Sequence, residues 1–291
     1  MRRKVENVIC IKWGDSGHYS AKYVNNLHAS VKRNTEYKVN FYCFTDDSKG
    51  FHEDIIVKPL PRVNTSDLRY FYRKEVGLCD ENLGGLAGKR VLYFDLDTVI
   101  VDNIDGFFEL PKNDDFYIIN DWNSWGNSVG QASCYSFVVG SLGYVKEHFE
   151  KNYEKVYDEF HRNSQKYLSK QVIKRYGKLN FWPEEWTKSF RFHCLPTPLV
   201  PFLRRFRMAE IPVGAKIICF HGKPKMEDAQ RGMWYEKRGW KRILYKHLAP
   251  VTWIKDFWND DLMSVKKGSR KGKSNDYKAD SKRLGLPTNS V

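Results

Sequence analysis

Short apolar runs alternate with helical patterns through the first hundred residues, and this alternation constrains the fold of the chain most. Residues 8–14, 38–44 and 55–57 have the length and apolar character of buried strands. Between the first two, apolar side chains recur at four-residue spacing over 23–31, and Ser20 precedes them as a helix N-cap. Strands that alternate with helices favour an α/β fold with a mainly parallel sheet flanked by helices.

Two acids interrupt an apolar run at 91–101. Asp95 and Asp97 are separated by one residue, and in an extended chain such side chains lie on the same face. The run therefore predicts two carboxylates side by side at a strand end, which is the edge of an α/β sheet where ligands bind. Adjacent negative charges need compensation, and a divalent cation prefers oxygen ligands. Two solvated acids at the start of a turn are the alternative interpretation.

A basic turn that contains His221, Lys223 and Lys225 follows the last predicted strand. A metal held by the two acids and His221 would leave positions for the oxygens of a diphosphate and would neutralise charge on a nucleotide leaving group. Either lysine could stabilise that charge directly. For His221, the alternative is a turn histidine that donates to a carbonyl. Trp13 and Tyr19 flank a loop after the first strand, where they would stack on a base or pack in the core.

Composition limits the class of protein. The chain has 291 residues and 41% hydrophobic residues, which suits a globular domain. It contains no apolar run of membrane-spanning length, and its N-terminal apolar run is too short for a signal peptide. The six cysteines form no Cys-x-x-Cys pair, which favours a reduced, cytoplasmic compartment.

The net charge of +14 indicates anionic partners. Residues 264–291 hold eight Lys or Arg and two acids. We therefore expect one domain over 1–263, which ends in an aromatic segment, and a disordered basic tail over 264–291. The tail could contact acidic lipid headgroups at a membrane surface or serve only solubility.

The acidic run also carries a resemblance to a known family. Residues 93–101 resemble the Asp-x-Asp segment of GT-A glycosyltransferases, and the closer likeness is to glycosyltransferase family eight and its bacterial and viral relatives. Further segments resemble those relatives in the same order, namely Lys12-Trp13-Gly14 with Tyr19, Tyr23-Val24-Asn25, Cys43-Phe44-Thr45-Asp46-Asp47 and the turn at 220–225.

The resemblance implies a GT-A, Rossmann-like fold and a chemistry. It implies a nucleotide-sugar donor, with UDP-sugar expected, Mn²⁺ or Mg²⁺ as cofactor, and transfer with retention to a glycan, a lipid-linked sugar or a protein. Asp95 and Asp97 match the metal-binding acids, Asp95 also touching the donor, and His221 matches the third ligand. The matches with donor-binding positions are Lys12, Trp13, Tyr19, Arg73, Lys223 and Lys225.

The resemblance places two further residues at the reacting sugar. Asp121 lies where the family has an acid that contacts the donor sugar, and Lys170-Gln171 corresponds to an Asp-Gln pair near the anomeric carbon. Asp121 and Gln171 are therefore the catalytic candidates. The chain departs from the family at Lys170, where the acid is replaced, and at His221, which directly precedes Gly222 rather than standing three residues before a glycine.

Two other classes of protein remain alternatives. The same acids resemble the signature of haloacid-dehalogenase-type phosphatases, in which Asp95 would attack phosphorus and Asp97 would act as general acid and base. That family has its motif at the first strand, whereas several strands precede it here. A non-enzymatic nucleic-acid binder would explain the charge, but the sequence contains no recognised zinc or RNA-binding motif, so nucleic acid is not the expected partner.

Overall fold

The computed structural model describes residues 5–13, 19–65, 70–123, 129–161, 163–196, 206–234 and 248–261, with the backbone alone at 70–73. The strands are β1 (Val5–Lys12), β2 (Lys38–Thr45), β3 (Ile56–Lys58), β4 (Arg90–Phe94), β5 (Thr98–Ile100), β6 (Tyr117–Asn120), β7 (Gly130–Val138), β8 (Asn180–Phe181), β9 (Thr187–Ser189) and β10 (Ile217–Cys219). The helices are α1 (Ala21–Arg33), α2 (Tyr70–Gly77), α3 (Asp105–Glu109), α4 (Gly143–Lys151), α5 (Tyr153–Phe160), α6 (Ser164–Tyr176), α7 (Met226–Gln230) and α8 (Ile254–Phe257), with a π-helical turn at Phe190–Cys194.

Seven of these strands form one sheet in the order β3-β2-β1-β4-β7-β6-β8. The pairs from β3 to β4 are parallel, β7 is antiparallel to both of its neighbours, and β8 is parallel to β6. All strands except β7 therefore run in the same direction. The sheet is mixed, and the prediction of a mainly parallel sheet is confirmed.

Both faces of the main sheet are covered. Along β1, Val8 and Cys10 belong to one hydrophobic core and Ile9 and Ile11 to the other, and all four are buried. One core lies against α1, the smaller sheet and the C-terminal segment, and the other lies against α2, α4, α5 and α6. This explains why the strands are continuously apolar rather than alternating with polar residues.

The acidic run at 91–101 is not one strand, contrary to the expectation of an extended segment. It divides into β4 of the main sheet and β5 of a second sheet, whose order is β5-β10-β9. The amide of Thr98 donates to the carbonyl of Asp95 at 3.1 Å, which makes the connection a turn. The break allows the following segment to pair antiparallel with β10.

Two further expectations are refined by the structure. The region between β7 and β8, which the sequence patterns predict to be helical, forms three helices, α4 to α6, and the side chain of Asn163 caps the last of them. The aromatic C-terminal segment is described over 248–261, where Trp253 and Trp258 are buried in the core that also contains α1 residues. The basic tail at 264–291 lies outside the described ranges, so the domain limit at residue 263 remains a prediction.

None of the helices in the described ranges combines the length and the apolar character that a membrane crossing requires.

Candidate active site

Asp95 lies directly after β4 and turns towards helix α2. Lys74 donates to both of its carboxylate oxygens, at 2.9 and 3.1 Å. The hydroxyl of Tyr93 donates to Oδ1 at 2.6 Å, and that of Ser133 to Oδ2 at 3.4 Å. Burial alone would lower the pKa of Lys74, but Asp95 and Glu75 raise it above its ordinary value, so the ammonium stays charged.

Asp97 lies on the other side of the turn and is 5% exposed. The ammonium of Lys225 contacts its Oδ2, and the hydroxyl of Tyr19 donates to the same oxygen at 2.9 Å. Burial alone would raise the pKa of Asp97, but Lys225 and Tyr19 hold it below its ordinary value. The second oxygen, Oδ1, is buried and has no hydrogen-bond partner within the described ranges.

His221 follows β10, and its ring is held on three sides. Its Nε2 shares a hydrogen bond of 2.7 Å with the hydroxyl of the buried Ser189. The rings of Trp122 and Phe192 stack on it, with centroids at 5.3 and 5.8 Å. Burial lowers the pKa of His221, an effect that Asp97 and Asp121 oppose. A neutral imidazole is the form that binds metals.

The two carboxylates and the imidazole have the chemistry to bind a divalent cation, but they are not gathered around one position. Two carboxylates and an imidazole are suitable ligands for Mn²⁺ or Mg²⁺. A buried acceptor without a partner, Asp97 Oδ1, is an observation that favours a cation at this place, since buried polar atoms are nearly always satisfied. In this structure Lys74 and Lys225 neutralise the two acids instead. Lys225 contacts Oδ2 of Asp97, so Oδ1 is the oxygen that remains open to a cation.

The other basic candidates lie near the same edge. Lys12 is 5% exposed at the end of β1, and its ammonium contacts the carbonyl and the carboxylate of Asp47 at 3.0 and 3.1 Å. Lys223 is half exposed and contacts Asp228 at 3.5 Å. The same carboxylate accepts from the backbone N–H of Lys225 at 3.2 Å and thereby fixes the basic turn.

The remaining candidates divide between the site and its surroundings. Asp121 follows β6 and is close enough to His221 to influence its pKa. Trp13 packs against the core on the α2 side. The side chain of Arg73 lies outside the described part, although its backbone belongs to α2. Gln171 is buried on α6, and its backbone carbonyl accepts from Tyr144 of α4 at 3.4 Å.

Sequence reasoning missed the polar residues that support Asp95. Gln131 and Ser133 of β7 exchange two hydrogen bonds of 2.7 and 2.9 Å, and Ser133 then contacts Asp95. Lys74 was also missed, although it stands next to the candidate Arg73. The available signal was the run of small polar residues at the start of β7, an unusual composition for a central buried strand.

Comparison with known proteins gives a result at the level of the fold. No protein-family model and no curated protein matches this sequence. The structure aligns with the galactosyltransferase LgtC, solved in complex with donor and acceptor sugar analogues, at a TM-score of 0.51 and 12% identity over 76% of this chain and 88% of that chain. This chain has the GT-A fold. The fold predicted from the acidic run is thereby confirmed.

Two more solved structures are similar to this chain. An active-site variant of LgtC aligns at a TM-score of 0.51 and 11% identity, over 76% of this chain and 89% of that chain. The apo form of the glycosyltransferase GlyE from Streptococcus pneumoniae TIGR4 gives a TM-score of 0.48 and 10% identity, over 77% and 56% of the two chains. Within the GT-A fold, Asp95 and Asp97 lie at the carboxyl end of β4, where open α/β sheets bind ligands.

Proposed function

We propose that this chain is a metal-dependent glycosyltransferase that moves a sugar from a nucleotide-sugar donor to an acceptor. The observation that carries the proposal is the pair Asp95 and Asp97 at the carboxyl end of β4 in a GT-A fold, with Asp97 Oδ1 buried and unsatisfied in the described part of the chain. Lys225 is already in contact with Asp97. Acids beside a lysine ammonium suit the binding of a diphosphate and its counterion.

Each candidate residue would have a role that follows from its position in the site. Asp95, Asp97 and His221 would hold Mn²⁺ or Mg²⁺, which when bound neutralises charge on a diphosphate leaving group. Lys225 would exchange Asp97 for a phosphate oxygen, since its ammonium sits on a flexible four-carbon stem. Tyr19 would keep its hydrogen bond to Asp97 and hold that carboxylate in place.

The nucleotide would lie over the ends of β1 and β2. Trp13 and Tyr19 offer aromatic rings for a base, and Lys12 offers a buried ammonium at the same edge. Lys223 is exposed and available to the diphosphate, and Arg73 is the further donor candidate on α2. We infer a UDP-sugar as the donor from the sequence resemblance.

The sugar would lie between β6 and the basic turn. Asp121 is near His221, and there it would accept hydrogen bonds from sugar hydroxyls. Gln171 is the second catalytic candidate, and transfer with retention is the outcome implied by the resemblance. The rings of Trp122 and Phe192, of which Phe192 is 48% exposed, offer a platform for an acceptor that is a glycan, a lipid-linked sugar or a protein.

The basic tail concerns where the enzyme would act. We infer that residues 264–291 bring the enzyme to an acidic membrane surface on the cytoplasmic side, because each Lys or Arg near such a surface contributes about 1 kcal/mol. Flotation with vesicles that contain phosphatidylserine tests this. The full chain should float at low salt, and a chain ending at residue 263 should not.

A binding screen tests the central proposal. Thermal shifts are measured with nucleotides and nucleotide sugars, each with and without Mn²⁺. A true donor at a hundred times its dissociation constant stabilises the fold by about 2.7 kcal/mol, so at least one nucleotide should raise the melting temperature and Mn²⁺ should increase the shift. If no nucleotide stabilises the protein under either condition, the proposal is wrong.

Hydrolysis of the donor then separates the alternatives. UDP- or GDP-sugar hydrolysis should require the metal and should disappear in Asp97→Ala, while Asp158→Asn, an exposed acid on α5, should retain it. Turnover of a phosphate ester without nucleotide would indicate a phosphatase instead. Salt-sensitive binding of nucleic acid that disappears on removal of residues 264–291 would indicate a nucleic-acid binder.

A further inference from the structure

A second group of metal-binding side chains lies on α1 and the loop after β2. His28 is 1% exposed, and neither of its ring nitrogens has a hydrogen-bond partner in the described structure. Buried polar groups are nearly always paired, because an unsatisfied donor or acceptor costs the desolvation of that group. The ring packs edge-on against Phe41, with centroids at 5.2 Å. This contact supplies no hydrogen bond to the ring nitrogens.

Two other ligand residues face His28. The ring of His52 lies at a centroid distance of 5.2 Å, and Asp54 follows two residues later. One ligand atom from each of the three residues lies within 4.8 Å of the others. Within the described ranges, no other group of three or more His, Cys, Asp or Glu side chains satisfies that spacing. The acids and the histidine of the active site do not.

The helix and the loop that supply these residues are held together before any ligand binds. Asn25 donates to the carbonyl of Gly50 at 2.9 Å, and its side-chain oxygen accepts from the backbone N–H of His52 at 3.0 Å. One turn after His28, the ammonium of Lys32 contacts the carboxylate of Asp54. Lys32 thus keeps Asp54 beside the two imidazoles and competes with a cation for its carboxylate.

We propose that His28, His52 and Asp54 bind a transition-metal ion of the Zn²⁺ class, at a site separate from Asp95 and Asp97. Two imidazoles and one carboxylate are a ligand set for tetrahedral Zn²⁺, with a water in the fourth position. Imidazole favours Zn²⁺, Co²⁺, Ni²⁺ or Cu²⁺ over Mg²⁺ and Ca²⁺. The ion satisfies His28, and at His52 it replaces the hydrogen bond that Nδ1 accepts from the backbone N–H of Asp54.

The effect of the ion follows from the position of its ligands. His28 is fully enclosed between α1 and β2, whereas Asp54 is exposed at the surface. The ion therefore ties the loop between β2 and β3 to α1. That loop begins beside Asp47, the partner of Lys12. The role we assign to the ion is to hold this loop, and it lies outside the chemistry of sugar transfer.

A spectroscopic titration tests the proposal. Tag-free, chelator-treated protein is titrated with Co²⁺ in excess Mg²⁺, which occupies the oxygen-rich active site. We expect one Co²⁺ per chain with the visible absorption of a tetrahedral ion, and its displacement by Zn²⁺. His52→Ala and Asp54→Ala should each weaken binding by at least about tenfold, since even outer-shell partners contribute 10–100-fold to metal affinity. Lys32→Gln should tighten binding, because it removes the competitor of the metal for Asp54.

A control variant shows whether a loss of Co²⁺ binding is specific to the proposed ligands. His161 is exposed, and its backbone φ of 48° suits asparagine, so His161→Asn should bind Co²⁺ as the wild type does. The test does not depend on a variant of the enclosed His28, because its replacement also changes the packing against Phe41. Absence of Co²⁺ binding, or equal affinity in the wild type, His52→Ala and Asp54→Ala, would overturn the proposal.

Discussion

The ammonium of Lys225 contacts the carboxylate of Asp97, although 128 positions separate the two residues in the chain. The contact joins the turn after β4 to the turn after β10. It also neutralises a carboxylate that is almost fully buried, with 6% of its side chain exposed. The pair therefore links the stability of the fold to the state of the candidate active site.

Lys225→Met should destabilise the metal-free protein. The substitution leaves the Asp97 charge buried without its ammonium, which costs about 3 kcal/mol in comparable cases. Mn²⁺ should recover part of the loss, because it supplies positive charge at the same carboxylate. Urea unfolding in chelator and in Mn²⁺ measures both effects.

The matched control for this prediction is Lys151→Met. Lys151 pairs with Glu147 at 2.6 Å, but both side chains are about two-thirds exposed, at 69% and 65%. Such an exposed pair contributes little to stability, because solvent screens the two charges. Equal losses in Lys151→Met and Lys225→Met would show that the buried pair has no special importance.

Ser189→Ala should weaken Mn²⁺ binding more than it weakens the fold. Ser189 shares a 2.7 Å hydrogen bond with Nε2 of His221 and so fixes the orientation of the ring. Loss of such an outer-shell partner lowers metal affinity 10–100-fold. The hydroxyl of Ser189 also accepts from the backbone N–H of Phe192 at 3.4 Å, and each of the two hydrogen bonds contributes about 1 kcal/mol to stability. Isothermal titration with Mn²⁺ and urea unfolding separate the two quantities.

Ser141→Ala is the comparison for that experiment. The hydroxyl of Ser141 is buried and has no hydrogen-bond partner in the described ranges, so its removal should change neither quantity. If Ser189→Ala binds Mn²⁺ with wild-type affinity, His221 is not a metal ligand.

Gln131→Leu should lower the turnover of donor hydrolysis by about tenfold. Gln131 fixes Ser133 through two hydrogen bonds, and Ser133 contacts Asp95, so Gln131 acts on the site through one intermediate residue. Gln171→Leu should lower turnover by at least as much, because Gln171 is the proposed catalytic candidate at the reacting sugar and leucine keeps the backbone carbonyl that accepts from Tyr144 on α4. Steady-state kinetics of both variants give the comparison. Wild-type turnover in Gln171→Leu would exclude a catalytic role for Gln171.

The local part of this fold was readable from the sequence. The apolar run that became β1 and the helical pattern that became α1 depend on neighbours in the chain, and both were placed within a few residues. The division of the acidic run was not readable, because it depends on the pairing of β5 with β10, far along the chain. For the same reason the sequence does not show that Asp95 and Asp97 have separate ammonium partners. The sequence predicts instead that the two acids share one cation.

The enclosed His28 predicts a fold that loses stability in acid when metal is removed. Burial lowers the pKa of His28 from 6.5 to about 4, and the charges of Lys32 and His52 act in the same direction, while Asp54 opposes them. In the unfolded chain the imidazole titrates near its ordinary value. The unfolded state therefore takes up the proton first as the pH falls.

The two pKa values of His28 set the pH range over which the free energy of unfolding falls. Stability is unaffected by His28 above about pH 6.5, falls between about pH 6.5 and 4, and levels off below that, with a total loss of at most about 3 kcal/mol. Urea unfolding in chelator at pH 7 and pH 5 measures it. His28→Phe, which places an apolar ring beside Phe41, should lose less stability between these pH values than the wild type, because other titrating groups act on both proteins alike. An equal loss in the two proteins would mean that His28 titrates normally in the folded state.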